Sequence, residues 1–391
     1  MTSFAVVWHA PFLSGGGYCT EAISYAQALS RSDTVQFVAV HHGDGFNENF
    51  VRTMSASTRE LLTKLMRIRA ESDRVRIDVC HSEPGAWSAP EPLFDSFSPC
   101  PSGGKLTVAR TMFETDRLPT GWLPRLLKFD QVWVPTQFSF DVFAAAGVPA
   151  TKLRVVAEGV DTDFFSRSRV TSQRQRTDAR FTFCSVGKFE PRKNLGGLVR
   201  AFLAAFDASD SSARLVILTS RYHSSADFRR ELASQIPNID FARVELLTDV
   251  AEDEMPSFYA KCDAFATATH GEGFGRPIVE AMSMGLAIVA PFWSGPTAFL
   301  ASDFAVLVPV TELEPVGEGA FADHLWARID EDRLRDALVQ LARDPQETAQ
   351  MGQRARLYAV TKLCLKCIAT QVEDALAALV EAEGERLKTE L

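Results

Sequence analysis

Long hydrophobic runs are absent from this sequence of 391 residues. A helix that crosses a bilayer needs about 20 consecutive apolar residues, whereas the longest candidates, such as residues 285–293, are short and contain Pro291. The first residues also lack the positively charged segment with which a signal peptide begins. We therefore expect no transmembrane segment and a cytoplasmic protein.

Cysteine occurs seven times, an odd number, and most of these residues lie in apolar segments. Such usage is typical of reduced thiols in a protein core. Cys364 and Cys367 have CxxC spacing, but a single pair in a helical pattern makes a metal or redox role the less favoured interpretation. The histidines do not cluster, and we interpret Asp161 and Asp163 as turn residues, so the sequence predicts no metal site.

Positively charged residues are fewer than negatively charged ones. The sequence has 41 Lys and Arg residues and 50 Asp and Glu residues, which gives a net charge of −9. An acidic chain repels a phosphate backbone unless positive charge is concentrated locally, so nucleic acid is not an expected partner. The composition is otherwise ordinary, with 46% hydrophobic and 23% charged residues, which excludes a disordered or fibrous protein. The length predicts two domains.

Short segments rich in β-branched and aromatic residues alternate with helical patterns along most of the chain. This alternation predicts an α/β protein with parallel sheets covered by helices. Strands are predicted at Phe4–Trp8, Gln36–Val40, Arg76–Cys80, Lys105–Ala109, Gln131–Val134, Leu153–Val156, Phe181–Val186, Arg214–Thr219, Val244–Leu247, Ala264–Ala266 and Ala287–Ala290. Helices are predicted at Tyr18–Arg31, Ser57–Ser72, Asn194–Phe206, Ala226–Gln235 and Pro277–Met284.

The apolar periodicity stops at residues 166–180, where Ser, Arg, Gln and Thr dominate, as in a solvated linker. We therefore predict an N-terminal domain over residues 1–165 and a C-terminal domain over residues 181–365. Each is expected to be a Rossmann-like, doubly wound sheet. Residues 321–387 have an almost continuous helical pattern, and 366–391 form a final helix.

A glycine-rich loop before a helix carries the most informative pattern, His270-Gly-Glu272-Gly-Phe-Gly-Arg276-Pro277-Ile-Val-Glu280. Pro277 favours the first turn of a helix, which places Glu272 on the loop and Glu280 about one turn inside. Gly273 and Gly275 allow a ligand to approach the backbone closely. A carboxylate can accept hydrogen bonds from two adjacent sugar hydroxyls, so this pattern favours a sugar nucleotide. The alternative is a capped helix with one acid that interacts favourably with the helix dipole and one solvated acid.

A second loop, Val186-Gly-Lys188-Phe-Glu-Pro-Arg192-Lys193-Asn194, also lies between a predicted strand and a predicted helix. Lys188, Arg192 and Lys193 bring three cations to one turn, where positive charge opposes the helix dipole. A bound anion would explain this placement, and an exposed basic turn is the alternative.

Glu272 and Glu280, seven residues apart around Gly-Phe-Gly, resemble the signature of the retaining glycosyltransferases of family 4, which have the two-domain GT-B fold. The resemblance implies that Glu280 holds the ribose of a nucleotide and that Glu272 contacts the donor sugar. It also implies that Lys188 and Lys193 embrace the donor diphosphate, and that the last helix packs on the N-terminal domain. Arg276 and the stretch Ser294-Gly-Pro-Thr297 depart from the family pattern.

Further donor contacts are implied at Arg192, Gly273, Phe274 and Gly275, and at Gly16 and Gly17 of an N-terminal glycine loop. The segment containing Glu114 resembles part of a bacterial subgroup of this family, so Glu114 is a candidate at the acceptor or reacting centre. A helix cap or an ion pair is an equally weighted alternative for this residue.

The sequence and the resemblance together predict a retaining, metal-independent hexosyltransferase that moves a sugar from a UDP- or GDP-sugar to an acceptor hydroxyl. No separate cofactor is expected. The acceptor is open among a glycan, a lipid, a protein and a small molecule. Peripheral membrane contact through the basic, amphipathic pattern of residues 57–72 is less favoured than a helix packed on the core. A sugar-nucleotide epimerase of the same fold and a non-catalytic nucleotide-sugar-binding protein are the alternative functions.

Overall fold

A computed structural model of the protein describes residues 3–87, 100–101, 104–170, 180–207, 209–220, 227–237, 239–248 and 250–389. The chain divides into two compact units. The first unit contains residues 1–159 and 363–391, and the second contains residues 160–362. The predicted linker begins inside the second unit, where Arg167 donates to the carbonyl oxygen of Met284 at 2.9 Å. Residues 171–179 of that linker lie outside the described residues.

The first unit is built on a six-stranded sheet in which all paired strands are parallel, in the order β2-β1-β3-β4-β5-β6. These strands are β1 (Phe4–Ala10), β2 (Val35–His41), β3 (Val75–His81), β4 (Leu106–Arg110), β5 (Gln131–Val134) and β6 (Leu153–Val155). All seven residues of β1 are buried, because this strand is covered on both faces. The order reverses between β1 and β3, and ligands of open α/β sheets bind beyond the carboxyl ends of the strands at such a switch point.

Helices of the first unit are α1 (Gly17–Leu29), α2 (Glu48–Thr53), α3 (Ala56–Leu65), α4 (Trp122–Leu126), α5 (Gln137–Ala145) and α12 (Leu365–Thr389). Helix α12 packs on α1, and its residues Ile368, Val372 and Leu376 join the core that contains Trp8. The predicted helix 57–72 ends early, at Leu65, so Arg67 and Arg69 do not extend a basic helical face.

The second unit has a six-stranded parallel sheet in the order β12-β11-β10-β7-β8-β9. These strands are β7 (Phe181–Val186), β8 (Ala213–Thr219), β9 (Val244–Thr248), β10 (Ala264–Ala266), β11 (Ala287–Pro291) and β12 (Ala305–Val308). This is the strand order of a Rossmann sheet, and it reverses between β7 and β10. The predicted α/β class and the two Rossmann-like sheets are confirmed.

The helices around the second sheet are α6 (Leu195–Ala205), α7 (Phe228–Gln235), α8 (Met255–Tyr259), α9 (Arg276–Ser283), α10 (Glu331–Arg343) and α11 (Pro345–Lys362). The first residue of predicted helix 226–235, Ala226, lies outside the described residues. An antiparallel pair, β13 (Leu313–Pro315) and β14 (Leu325–Ala327), corrects the prediction that residues 321–387 are almost wholly helical. Helix α10 begins only after Asp330, whose side chain accepts the N–H of Arg333 and caps the helix.

The prediction that the cysteines are reduced is wrong for two pairs. Disulfides join Cys80 to Cys100 and Cys364 to Cys367. The first pair unites residues 20 positions apart, and only the fold brings them together. The remaining thiols, at Cys19, Cys184 and Cys262, are free and buried.

None of the helices among the described residues is long and apolar enough to cross a membrane.

Candidate active site

The two loops singled out in the second unit follow the strands on either side of its switch point. The loop with the three cations follows β7, which ends at Val186, and the glycine-rich loop follows β10, which ends at Ala266. Because these strands are parallel and directly paired, their loops emerge at the same edge of the sheet. A backbone hydrogen bond of 2.8 Å from the N–H of His270 to the carbonyl oxygen of Arg192 joins the loops.

Glu272 connects the two loops by ion pairs. Its carboxylate oxygens lie 2.6 and 2.8 Å from the Lys193 ammonium, and one of them lies 3.1 Å from a guanidinium nitrogen of Arg192. Arg192 also donates to the Gly271 carbonyl oxygen at 2.6 Å and to the Glu190 carboxylate at 2.7 Å. Glu272 and the two cations therefore form one charged cluster at the edge of the sheet.

The Glu272 carboxyl group is strongly acidic. Burial alone would raise its pKa, but the charges of Lys193 and Arg192 and their hydrogen bonds outweigh burial and lower the pKa to about 2. Glu272 is therefore a carboxylate throughout the physiological pH range. The sequence analysis considered a bound anion or an exposed basic turn, but the structure shows a third arrangement, in which Glu272 and Glu190 supply anionic partners for Lys193 and Arg192.

Glu280 lies in the second turn of α9, with Arg276 one turn before it at the start of the helix. One of its carboxylate oxygens accepts a hydrogen bond of 2.8 Å from the hydroxyl of Tyr259. Burial raises the pKa of Glu280, and the charge of Arg276 and the Tyr259 hydrogen bond only partly offset that effect. The two carboxylates of the motif thus have opposite electrostatic environments.

The backbone of the glycine-rich loop is supported by the loop after β11. The Ser294 hydroxyl accepts the N–H of Glu272 at 2.9 Å, and the Gly295 N–H donates to the Glu272 carbonyl oxygen at 2.9 Å. A Cβ at Gly295 would lie 2.4 Å from the carbonyl oxygen of Gly273, so a side chain is excluded there. Ser294 has φ of +59°, a conformation that is unfavourable for a residue with a side chain. The sequence flagged this stretch only as a departure from a family pattern.

Gly275 is the N-cap of α9 with φ of +104°, so the helix begins one residue earlier than predicted, at Arg276. Phe274 is buried against Phe299, with a distance of 5.0 Å between ring centroids. Any contact from Phe274 to a donor would therefore come from its backbone. The remaining cation, Lys188, lies in the loop after β7 and is half-buried.

In the first unit, the glycine loop after β1 leads into α1, with Gly16 as the N-cap and Gly17 as the first helical residue. Neither has a positive φ, whereas Gly15 has φ of +82° and its Cβ position lies 2.8 Å from the ring of Phe50. Gly15 is thus the position that requires glycine. Glu114 is on the loop after β4. Burial, followed by the charges of Glu83 and Glu114, raises the pKa of the Tyr18 phenol.

Sequence reasoning did not single out a buried charged network near these loops. Glu21, His81 and Arg110 have no exposed surface. Glu21 accepts from Arg110 at 2.7 Å and from His81 Nε2 at 2.9 Å, and the Trp8 indole donates to His81 Nδ1 at 3.0 Å. An indole N–H can only donate, so His81 carries its proton on Nε2. The available signal in the sequence was that Glu21 and Arg110 each lie inside an apolar segment, which indicates buried charges that pair.

The described part of the chain contains no cluster of three or more His, Cys, Asp or Glu residues that could hold a metal ion. One oxygen of Asp161 accepts the N–H groups of Asp163 and Phe164, which is a turn-stabilising arrangement.

Residues 180–344 match the family model described as Glycosyl transferases group 1. The sequence of this segment is similar to that family. It contains both loops of the charged cluster, as well as Tyr259 and Glu280.

Two similar proteins are named as mannosyltransferases. The chain is 26% identical over 247 residues to a GDP-mannose-dependent alpha-mannosyltransferase of Mycobacterium tuberculosis, which covers 62% of this chain and 56% of that protein. A phosphatidylinositol monomannoside mannosyltransferase of the same species is 26% identical over 63% of this chain and 61% of its own length. The matches thus span somewhat more than half of these relatives.

Solved structures of similar fold cover almost the whole chain. An Anabaena protein, HepE, in complex with UDP and glucose has a TM-score of 0.68 at 18% identity, over 96% of this chain and 99% of that one. Sucrose-phosphate synthase from Thermosynechococcus elongatus has a TM-score of 0.66 at 14% identity, over 98% and 100%. The chain has the GT-B fold, as the sequence resemblance predicted.

Proposed function

We propose that this protein is a retaining hexosyltransferase that moves a sugar from a nucleoside-diphosphate sugar to an acceptor hydroxyl. One observation carries the proposal: two loops at the switch point of the second sheet bring cations and carboxylates into a single cluster. A nucleoside-diphosphate sugar has a matching set of groups, since it combines an anionic diphosphate with the hydroxyls of a ribose and a hexose.

The cations of the loop after β7 are assigned to the diphosphate. The loop Val186–Asn194 carries the three cations Lys188, Arg192 and Lys193 and one carboxylate, Glu190, so its own residues bring more positive than negative charge. A cation about 4 Å from a phosphate contributes roughly 4 kcal/mol at an effective dielectric constant of about 20, before desolvation is subtracted. Positive charge placed there also stabilises the diphosphate as it leaves.

The two carboxylates are assigned to the sugars of the donor. Glu280 is assigned to the ribose hydroxyls, and Glu272 to the hexose that is transferred. Gly273 and Gly275 give the ligand close access to the loop backbone. Because Glu272 is ionised and already paired with Lys193, it can orient that cation as well as a sugar hydroxyl.

GDP-mannose is the donor that we propose, because the relatives described above are named as GDP-mannose-dependent enzymes. Their names also favour a glycan or a lipid as the acceptor. In this proposal Glu114, in the first unit, is the candidate residue at the acceptor or reacting centre, and Gly16 and Gly17 keep the donor contacts that the family resemblance implies.

The proposed mechanism needs no metal ion, since lysine and arginine neutralise the departing diphosphate. Transfer in the presence of a chelator tests this point. We expect full activity after treatment with EDTA, and loss of activity that Mn²⁺ or Mg²⁺ restores would contradict the proposal.

The central test measures donor binding and transfer with one pair of variants. A thermal-shift panel of nucleotide sugars is expected to select GDP-mannose, since a ligand at 100 times its Kd adds about 2.7 kcal/mol to the free energy of unfolding. Glu280→Ala is expected to abolish calorimetric binding of GDP, whereas Glu231→Ala, a change on the exposed surface of α7, is expected to leave binding intact. Unchanged GDP affinity in Glu280→Ala would contradict the assignment of the ribose site. Donor conversion without any acceptor would instead indicate an epimerase.

A further inference from the structure

The hydroxyl of Tyr259 donates a hydrogen bond to the carboxylate of Glu280. Tyr259 is the last residue of α8, and its hydroxyl lies 2.8 Å from Oε2 of Glu280 and 3.4 Å from the carbonyl oxygen of Pro277. The shorter distance identifies the carboxylate as the main acceptor. Among the described residues, no other group donates a hydrogen bond to this carboxylate.

The Tyr259 ring is held firmly in place. It has no exposed surface, and its ring contacts Phe165 at 6.0 Å and Phe265 at 6.4 Å between centroids. Burial, followed by the charge of Glu280, raises the pKa of the phenol well above its usual value. The hydroxyl therefore stays protonated at physiological pH and can only act as a donor toward Glu280.

We propose that Tyr259 is the positioning residue for Glu280 in donor binding. Its hydroxyl fixes one carboxylate oxygen, which sets the rotation of the carboxylate and directs the second oxygen to the ligand. This inference rests on the proposed function, because it takes the ribose of the donor as the group that Glu280 binds. Tyr259 itself contacts neither donor nor acceptor in this arrangement.

The charge state of Glu280 gives this hydrogen bond its importance. Burial favours the protonated acid, and the negative charge of Glu252 acts in the same direction. Arg276, on the same helix, and Tyr259, on α8, oppose them. The charges of the Cys184 and Cys262 thiols also act to raise the pKa of the Tyr259 phenol.

Loss of the Tyr259 hydroxyl removes one of two groups that favour the carboxylate. The pKa of Glu280 should then rise further, so a larger fraction would be protonated at a given pH. A protonated acid is a weaker acceptor for two ribose hydroxyls than a carboxylate is. Ligand affinity should therefore fall most at the acidic end of the pH range.

The test compares Tyr259→Phe with wild type in two measurements. Isothermal titration calorimetry with GDP, between about pH 5 and pH 8, is expected to show a loss of about tenfold at neutral pH that grows as the pH falls. Carbon-13 NMR of glutamate-labelled protein without any nucleotide is expected to show a higher pKa of the Glu280 carboxyl. The Glu280 signal is assigned by its disappearance in Glu280→Gln.

Two controls separate positioning from a structural role. Tyr358→Phe removes a half-buried phenol of the same unit that packs on Phe304, 5.4 Å between centroids, and it should change neither measurement. In a Glu280→Gln background, which lacks the titrating carboxyl group, Tyr259→Phe should leave the pH dependence of the Tm unchanged. A merely structural role of Tyr259 would lower the Tm of the single variant without changing the Glu280 pKa or the pH dependence of GDP affinity.

An unchanged Glu280 pKa in Tyr259→Phe would overturn the inference, whatever the protein binds. Unchanged GDP affinity in Tyr259→Phe, together with loss of binding in Glu280→Gln, would overturn it and leave the proposed function standing. Absence of nucleotide binding by wild type would overturn the proposed function and the donor-positioning role together.

Discussion

The carboxylate of Glu272 contacts the ammonium of Lys193 with both of its oxygens, at 2.6 and 2.8 Å. The two residues come from loops that follow different strands, and each is largely shielded from solvent, with 13% and 12% of the side chain exposed. A diphosphate that binds Lys193 would have to share or replace this contact. Substitutions of Glu272 and of Lys193 are therefore expected to have different effects.

Glu272→Gln is expected to lower kcat by about 100-fold without weakening the affinity for GDP. The amide keeps the size of the side chain but removes the charge that orients Lys193 and the hexose, and it no longer competes with the diphosphate for the cations. Steady-state kinetics and calorimetry measure the two quantities. Glu190→Gln, which affects a carboxylate paired with Arg192 alone, is the matched control and should have a smaller effect. A kcat equal to that of wild type would show that Glu272 has no role in transfer.

Lys193→Ala is expected to lower kcat more than it weakens GDP binding. Negative charge on the leaving diphosphate grows in the transition state, so the cation contributes more there than in the bound ground state. We expect a loss of about 100-fold to 1,000-fold in kcat. Lys193→Arg, which keeps the charge, should retain part of the activity. If kcat is unchanged and only KM rises, the ammonium binds the ground state and the transition state equally.

Glu21→Gln is expected to destabilise the first unit by about 3–5 kcal/mol, because it leaves the buried Arg110 without its charged partner. Urea unfolding of the full chain measures the difference. Glu48→Gln breaks an ion pair with Arg52 in which both side chains are more than two thirds exposed, and it should cost less than about 1 kcal/mol. Equal effects of the two changes would contradict the structural importance of the buried network.

The same network predicts how stability depends on pH. Burial would raise the pKa of Glu21, but Arg110 and His81 lower it from 4.5 to about 2. The folded state thus binds the proton of Glu21 more weakly than the unfolded state does. The contribution of Glu21 to the free energy of unfolding is therefore fully present above the pKa of the unfolded state, and it is lost as the pH falls toward 2. Unfolding free energies measured across this window should therefore fall less steeply in Glu21→Gln than in wild type. Parallel curves for the two proteins would refute the assignment.

Transfer from an α-linked donor is expected to yield an α-linked product. Inversion requires a general base on the face opposite the leaving group, and the carboxylates Glu272 and Glu280 are assigned to the donor instead. Anomeric coupling constants from NMR of the isolated product measure the configuration directly. A β-linked product would contradict retention and make Glu114 the first residue to test as a base.

Most of what could be predicted about the fold and the site came from patterns among residues that lie close together in the sequence. The alternation of strand and helix patterns predicted two parallel sheets, and strands β5, β7 and β10 have the predicted bounds. Local spacing also placed Glu272 on a loop and Glu280 inside a helix. Strand β14 was missed because it lies within residues 321–387, where the apolar spacing was interpreted as almost wholly helical.

The sequence by itself determined the fold class, the chemical types of the charged residues at the site and the loops that carry them. Tertiary structure decided which charges meet. Glu272 and Lys193 are 79 positions apart in the sequence, and the parallel pairing of β7 with β10 in the second unit brings them into contact. Glu21 and Arg110 are 89 positions apart, and the strand order of the first unit, with β3 paired to β4, brings them into contact. The contact between Tyr259 and Glu280 was also decided by the tertiary structure, because the sequence around an aromatic residue at the end of a helix does not indicate which carboxylate it contacts. Ionisation depends on these long-range neighbours and on burial, and neither is encoded in local spacing.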